Sequence, residues 1–142
     1  MKVHDVMTRR VIRVRGEEPV SVAARTLTHY NVGALPVTDA EDRVCGMVTD
    51  RDLVTRCVAA GKNPDRTPVR EVMTTHVIAA SPEQDALVAA SKMAREQVRR
   101  LPVLENGRLC GMISLGDLAG NPESNSQAAD AFLEITGNVS MR

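Results

Sequence analysis

Leu101-Pro102-Val103-Leu104-Glu105-Asn106-Gly107-Arg108-Leu109-Cys110-Gly111-Met112-Ile113 is the stretch from which the rest of the chain can be read. Two apolar runs flank Asn106-Gly107, a dipeptide that accepts the two positive φ angles of a type I′ turn, so a β-hairpin is predicted. The same signals stand earlier in the chain. Leu35-Pro36-Val37 leads through a longer turn, Asp39-Ala40-Glu41-Asp42-Arg43, to Cys45-Gly46-Met47. Working outward, a shift of 66 residues lays Val3, Val6, Met7, Thr8, Val11 and Ile12 on Val69, Val72, Met73, Thr74, Val77 and Ile78. At that shift 14 of the 35 positions from 3 to 37 are identical. One deletion later, Cys45-Gly46-Met47 falls on Cys110-Gly111-Met112, and Asp52-Leu53 on Asp117-Leu118. The chain is one unit used twice.

Each copy predicts the same order of elements. A short turn (Val3 to Met7; Val69 to Met73) precedes a brief strand, Val11 to Val14 or Val77 to Ala80. A helix follows, with Val20, Ala23, Ala24 and Leu27 at helical spacing in copy one and Ala86, Ala90, Met93 and Ala94 in copy two. In copy two, Ser81-Pro82-Glu83-Gln84 has the form of a helix start, with Ser as cap and Pro at the first helical position. The hairpin comes next, and a second helix starts at Asp50 or Leu115. The unit is therefore β-α-β-β-α, an α/β (α+β) arrangement with repeat 1 at residues 1–62, a linker at 63–68, repeat 2 at 69–120 and a tail at 121–142. In the tail, Gln127 to Thr136 predicts a short helix, with Ala128, Ala131, Phe132 and Ile135 on one face and Gly137 ending it.

Composition excludes several functions. The chain has 142 residues, and 18 Lys and Arg balance 18 Asp and Glu, so it lacks the basic excess of a general nucleic-acid binder. With no Trp, one Tyr (Tyr30) and one Phe (Phe132), it has no aromatic platform for stacking bases. The longest apolar run, Ala86 to Ala90, is far short of a membrane span, and residues 1–10 hold no apolar stretch of signal-peptide length. Three cysteines with no C-x-x-C point to reduced thiols in a cytoplasmic protein. Cys45 and Cys110 occupy equivalent positions and read as small buried hydrophobes, with a metal or redox role as the sharper alternative. His4, His29 and His76 are scattered and read as surface or cap residues. No phosphate-binding Gly-x-x-x-x-Gly-Lys loop, His-Glu-x-x-His or Gly-x-Ser-x-Gly occurs, so no enzyme is expected and neither catalytic residues nor a metal site are assigned.

Gly46-Met47-Val48-Thr49-Asp50-Arg51-Asp52 and Gly111-Met112-Ile113-Ser114-Leu115-Gly116-Asp117, taken with Val-Met-Thr at each start and Leu-Pro-Val on each middle strand, resemble a CBS-domain pair. The family is named after the regulatory domain of cystathionine β-synthase. The resemblance covers residues 3–119, and within the family the chain is similar to stand-alone bacterial pairs, including actinobacterial hypoxia- and stress-response members. It implies two CBS repeats packed as a pseudo-twofold pair, with clefts between the copies that take AMP, ADP, ATP or S-adenosylmethionine. It also implies a homodimer and an effector protein of unknown identity, with no nucleic acid or membrane partner.

Carried over residue by residue, the first cleft draws on Asp117, Ser114 and Arg100, with Thr8, Val11, Ile12, Val32, Gly33 and Ala34. The second draws on Asp52 and Thr49, with Thr74, Val77, Ile78, Val98 and Arg99. The chemistry is independently reasonable. A carboxylate three residues after a hydroxyl can accept hydrogen bonds from ribose hydroxyls, while the hydroxyl and guanidinium groups answer a phosphate. Each feature also has a plain structural use. Asp and Thr or Ser cap helices, the apolar members are core residues, and an Arg pair is common at a solvated strand end.

Overall fold

The computed structural model of the chain describes residues 1–140. The elements run α1 (Val3–Val6), β1 (Val14–Arg15), α2 (Val20–Tyr30), β2 (Ala34–Thr38), β3 (Val44–Thr49) and α3 (Asp50–Asp52), which continues as a π-helical stretch over Leu53–Val58. A 3₁₀ turn at Val69–Glu71 precedes α4 (Ala86–Glu96), β4 (Arg100–Glu105), β5 (Arg108–Ser114), α5 (Leu115–Ala119) and α6 (Asn125–Ser140).

These elements form two compact units, but each sequence copy lends its leading segment to the other copy's unit. One unit holds Met1–Val11 together with the chain from Ile78 onward; the other is Ile12–Val77. Backbone bonding explains the exchange. In the first unit, Thr8 N–H donates to the Met112 carbonyl at 2.8 Å and Met112 N–H returns to Thr8 at 2.9 Å. In the second unit, Met47 and Thr74 do the same at 2.9 and 2.8 Å. Thr8 or Thr74 thus borders the last strand of each hairpin, whose other edge pairs antiparallel with β4 or β2.

The hairpins form as predicted. Asn106 and Gly107 have φ of 54° and 79°, the conformation a type I′ turn requires. In the longer turn, Asp39 accepts from the N–H groups of Glu41 and Arg43 at 2.9 Å, and Asp42 takes the left-handed conformation. The two sheets share one irregularity, a register shift after Val37 and after Val103.

The first strand is shorter than its apolar run. Only Val14–Arg15 forms a strand in one unit, pairing parallel with Val37 and Thr38, and only Ala80 pairs in the other, with Val103. The second-copy helix also begins later than Ser81-Pro82. Ala86 N–H, which a helix starting at Pro82 would send to the Pro82 carbonyl, donates instead to Met1 at 2.9 Å. The Pro82 carbonyl accepts from His4 N–H at 3.1 Å, and Gln84 accepts from Val3 at 2.8 Å. Ser81 to Gln84 is therefore a turn closed by Ser81 N–H to Gln84 Oε1 at 3.0 Å, and Asp85 caps α4 through Leu87 N–H.

Each unit has its own core. Val3, Ala86, Ala89, Ala90, Met93, Leu101, Ile113 and Leu118 are buried in one, joined by Ala128, Ala131 and Ile135 of α6. Val14, Val20, Leu27, Leu35, Val48, Cys57, Val69 and Val72 are buried in the other. The tail helix differs from the sequence reading in three ways, the first being that it begins two residues earlier, at Asn125. It passes through Gly137 to Ser140, and Phe132 is half-exposed, off the buried stripe. The segment 63–68 is packed rather than loose: Val20 N–H donates to Thr67 and Ser21 N–H to Pro64. Among the described residues no helix is long and apolar enough to cross a membrane.

Candidate functional site

Ser114 ends β5 and caps α5. Its Oγ accepts from Asp117 N–H at 3.1 Å, and Asp117 Oδ2 accepts from Ser114 N–H at 2.9 Å. This reciprocal capping box satisfies two amides that the helix itself cannot. Thr49 and Asp52 form the same box, each bond 3.0 Å. The plain structural use of these residues is therefore real, and it occupies one oxygen of each carboxylate.

The two corners differ in what remains. Asp52 is buried, and Arg56 Nε stands 3.9 Å from its Oδ1. Arg56 is held there by the Met73 carbonyl at 3.1 Å. Asp117 has no cation beside it among the described residues, and its Oδ1 takes no hydrogen bond there. The neighbouring strand differs too. Arg100 is the cross-strand partner of Ser114, whereas Ala34 is the partner of Thr49. Facing side chains in such a pair share one side of the sheet.

The first unit brings together Thr8, Val11, Arg100, Ser114 and Asp117 of the first predicted set, and it also contains Ile78, Val98 and Arg99 of the second. Ile12, Val32, Gly33 and Ala34 lie in the other unit with Thr49, Asp52, Thr74 and Val77. Thr8 is bonded to Met112, two residues before Ser114 on β5. Ile78 and Val98 pack against the core of the first unit, and Ile12 and Val32 against that of the second. In both copies the residue before the middle strand ties down the second helix: Leu115 N–H donates to Arg99 at 3.0 Å, and Asp50 N–H to Gly33 at 3.1 Å.

Within the first unit, Arg99, Arg100, Ser114 and Gly116 line an open cleft of about 530 Å³ whose remaining wall includes Ala128 and Phe132 of α6. Neither guanidinium has an ion-pair partner among the described residues. The contribution of α6 was not legible in the sequence, because nothing in residues 125–140 marks them as neighbours of Arg99.

The cysteines depart from the expectation of burial. Cys45 is exposed and Cys110 partly so, and only Cys57 is buried. Each of the equivalent pair donates its thiol across the hairpin, Cys45 to Val37 and Cys110 to Val103, both at 3.3 Å. Partial burial holds both thiols above the ordinary range, reinforced by Glu105 at Cys110 and by Asp39 and Glu17 at Cys45. Among the described residues no three His, Cys, Asp or Glu side chains gather to hold a metal ion.

Known proteins share this architecture. CBS domain-containing protein YhcV of Bacillus subtilis is 39% identical over 134 residues, covering 94% of each chain. Hypoxic response protein 1 of Mycobacterium tuberculosis is 32% identical over 115 residues, 81% of this chain and 80% of that protein. A crystal structure of Hypoxic Response Protein I with two coordinated zinc ions aligns with a TM-score of 0.79 at 30% identity, over 85% of this chain and 98% of that one. The CBS domain protein PAE2072 from Pyrobaculum aerophilum, complexed with AMP, shares the fold at a TM-score of 0.77 and 24% identity, over 92% and 99% of the two chains. The CBS domain model matches residues 3–59 and again 69–122, so the chain belongs to the CBS-domain family and carries two copies of its repeat.

Proposed function

We propose that the chain is a regulatory module, without catalysis of its own, that binds an adenine nucleotide or related adenosine ligand and passes the bound state to an effector protein. It would act as a homodimer, and its three unpaired cysteines fit a reducing cytoplasmic setting. One observation carries the reading. At the Ser114 corner a carboxylate with one oxygen unengaged among the described residues sits on the helix that follows β5, and Arg100 stands across the strand from Ser114. Asp117 would accept from the ribose hydroxyls; Arg100 and Ser114 would answer the phosphate. Thr8 and Val11 would border the base. The AMP bound by PAE2072 supports this ligand class.

A different observation favours a structural role for the other corner. Both oxygens of Asp52 are engaged, one by Thr49 and one by Arg56, and no arginine stands across from Thr49. The reading is therefore one occupied site, at Asp117, rather than two.

Thermal shift with AMP, ADP, ATP and S-adenosylmethionine tests it. A ligand at a hundredfold its dissociation constant stabilises a fold by about 2.7 kcal/mol, which for a domain of this size raises Tm on the order of 5–10 °C. If none of the four shifts Tm at millimolar concentration, the chain is a protein-interaction module instead.

A further inference from the structure

We infer that α6 forms a wall of the anion-binding end of this site, and that Phe132 is the positioning residue that holds Arg99 toward a chain of two or more phosphates. The inference rests on the nucleotide reading of the Ser114 and Asp117 corner and adds to it the phosphate class and a role for the tail.

Three observations support it. The cleft of about 530 Å³ is bounded on one side by the start of β4 and the Ser114 turn and on the other by α6, and it has room for more than one phosphate. Two guanidiniums, Arg99 and Arg100, open on it with no carboxylate paired to either among the described residues. Unpaired arginines beside a hydroxyl are suited to phosphate oxygens, which they bind in charge-assisted, two-pronged fashion.

The third observation is the ring itself. Ala128, Ala131 and Ile135 bury the inward stripe of α6, yet Phe132, the one Phe in the chain, is 46% exposed. The Arg99 guanidinium lies over its ring, 5.3 Å from the centroid. The Arg99 backbone is fixed at the same time, because its carbonyl accepts from Leu115 N–H. A side chain anchored at one end and stacked on a ring at the other has few rotamers left to lose when it meets an anion. Phe132 therefore acts through Arg99 and needs no contact with the ligand.

The test uses the full chain and four probes: adenosine, AMP, ATP and inorganic tripolyphosphate, titrated calorimetrically into wild type, Phe132→Leu and Phe132→Tyr. Leu keeps apolar volume and loses the π face; Tyr keeps the face. ATP should bind wild type more tightly than AMP or adenosine. Phe132→Leu should weaken ATP and tripolyphosphate by about threefold or more, the size of an exposed cation–π contact, leave adenosine unchanged, and be rescued by Phe132→Tyr. The inference is overturned if Phe132→Leu binds ATP as wild type does, if it loses adenosine equally, or if Tyr behaves like Leu. The two readings fail differently. Adenosine binding with no gain from added phosphates removes the role of Phe132 and keeps the nucleoside site. Tripolyphosphate binding without any adenosine ligand removes the nucleotide reading and leaves α6 bordering a polyphosphate site.

Discussion

Met7 lies so close over Gly111 that a Cβ placed on that glycine would sit 2.6 Å from the Met7 Sδ. The equivalent pair in the other unit, Met73 and Gly46, has the same 2.6 Å separation. Two motifs that are far apart in the chain, Val-Met-Thr and Cys-Gly-Met, are thus the two sides of one contact, and the glycine lets the exchanged segment reach the edge of the hairpin. The contacts are not equal. A Cβ at Gly46 would also lie 2.8 Å from the Thr74 carbonyl, against 3.0 Å from that of Thr8 at Gly111. A thioether tip can swing aside, but a backbone oxygen within a paired strand edge cannot. Overpacking of this kind costs about 1–3 kcal/mol, and Gly46→Ala should lie at the upper end and Gly111→Ala at the lower. Urea denaturation measures both. Equal, negligible losses would show that the glycines are not what admits the Met segments.

The same pairing explains what could and could not be read from residues alone. The hairpins were legible because Asn106-Gly107 states its turn locally and the alternating strands repeat. The exchange of leading segments was not, since Thr8 finds Met112 only in the folded unit, and either copy of Val-Met-Thr fits either hairpin by composition. The start of α4 was misplaced for a related reason: the carbonyls that would open a helix at Pro82 are taken by Val3 and His4. At the site, the Ser114 and Asp117 pair was readable from spacing. Its unengaged oxygen, and the answering Arg56 at Asp52, depend on where a side chain four residues on finds its own backbone partner.

Thiol chemistry offers a check on the hairpin environment. The raised positions of Cys45 and Cys110 mean that the folded state holds these protons more tightly than the unfolded chain. Unfolded thiols lose theirs near pH 8.5, so this contribution is fully present below that value and is lost as pH rises through the higher folded one. Alkylation follows the thiolate. Cys45, although exposed, should react with iodoacetamide more slowly than glutathione at about pH 8, with a rate that is still rising where that of glutathione has levelled. A rate for Cys45 matching glutathione across the titration would contradict the assigned environment.

Assembly can be tested on the helix that follows β3. Leu53 and Cys57 are buried in their own core, but Val54 and Val58 are 58% and 66% exposed on the same helix. In the proposed homodimer these valines lose contact with water. Each fully buried Val contributes about 1.5 kcal/mol or more, so Val54→Glu with Val58→Glu should convert a species of about 31 kDa, twice the 15.4 kDa chain, to monomer. Light scattering at micromolar concentration reads this directly. A wild-type mass of one chain removes the dimer, and a dimer unaffected by both glutamates moves the interface elsewhere.

The last prediction separates the binding role of Asp117 from its capping role. Because Asp117 Oδ2 closes the capping box with Ser114, Asp117→Ala would remove a cap as well as a ligand acceptor, and lost caps alone cost about 1 kcal/mol. Asp117→Asn is the cleaner change. Its amide oxygen can still accept from Ser114 N–H, while the negative charge that strengthens bonds to ribose hydroxyls is gone. Arg100→Ala probes the other end of the same ligand, since Arg100 stands across from Ser114 and has no ion-pair partner among the described residues to leave stranded. Each change should weaken AMP binding by about tenfold, or 1.4 kcal/mol, with a much smaller effect on urea stability. Arg100→Ala should leave adenosine affinity as it was, because adenosine brings no phosphate. Asp52→Asn, at the corner where Arg56 already answers the carboxylate, should leave AMP affinity unchanged. If Asp117→Asn instead lowers stability sharply and AMP binds as before, the carboxylate is a helix cap and nothing more.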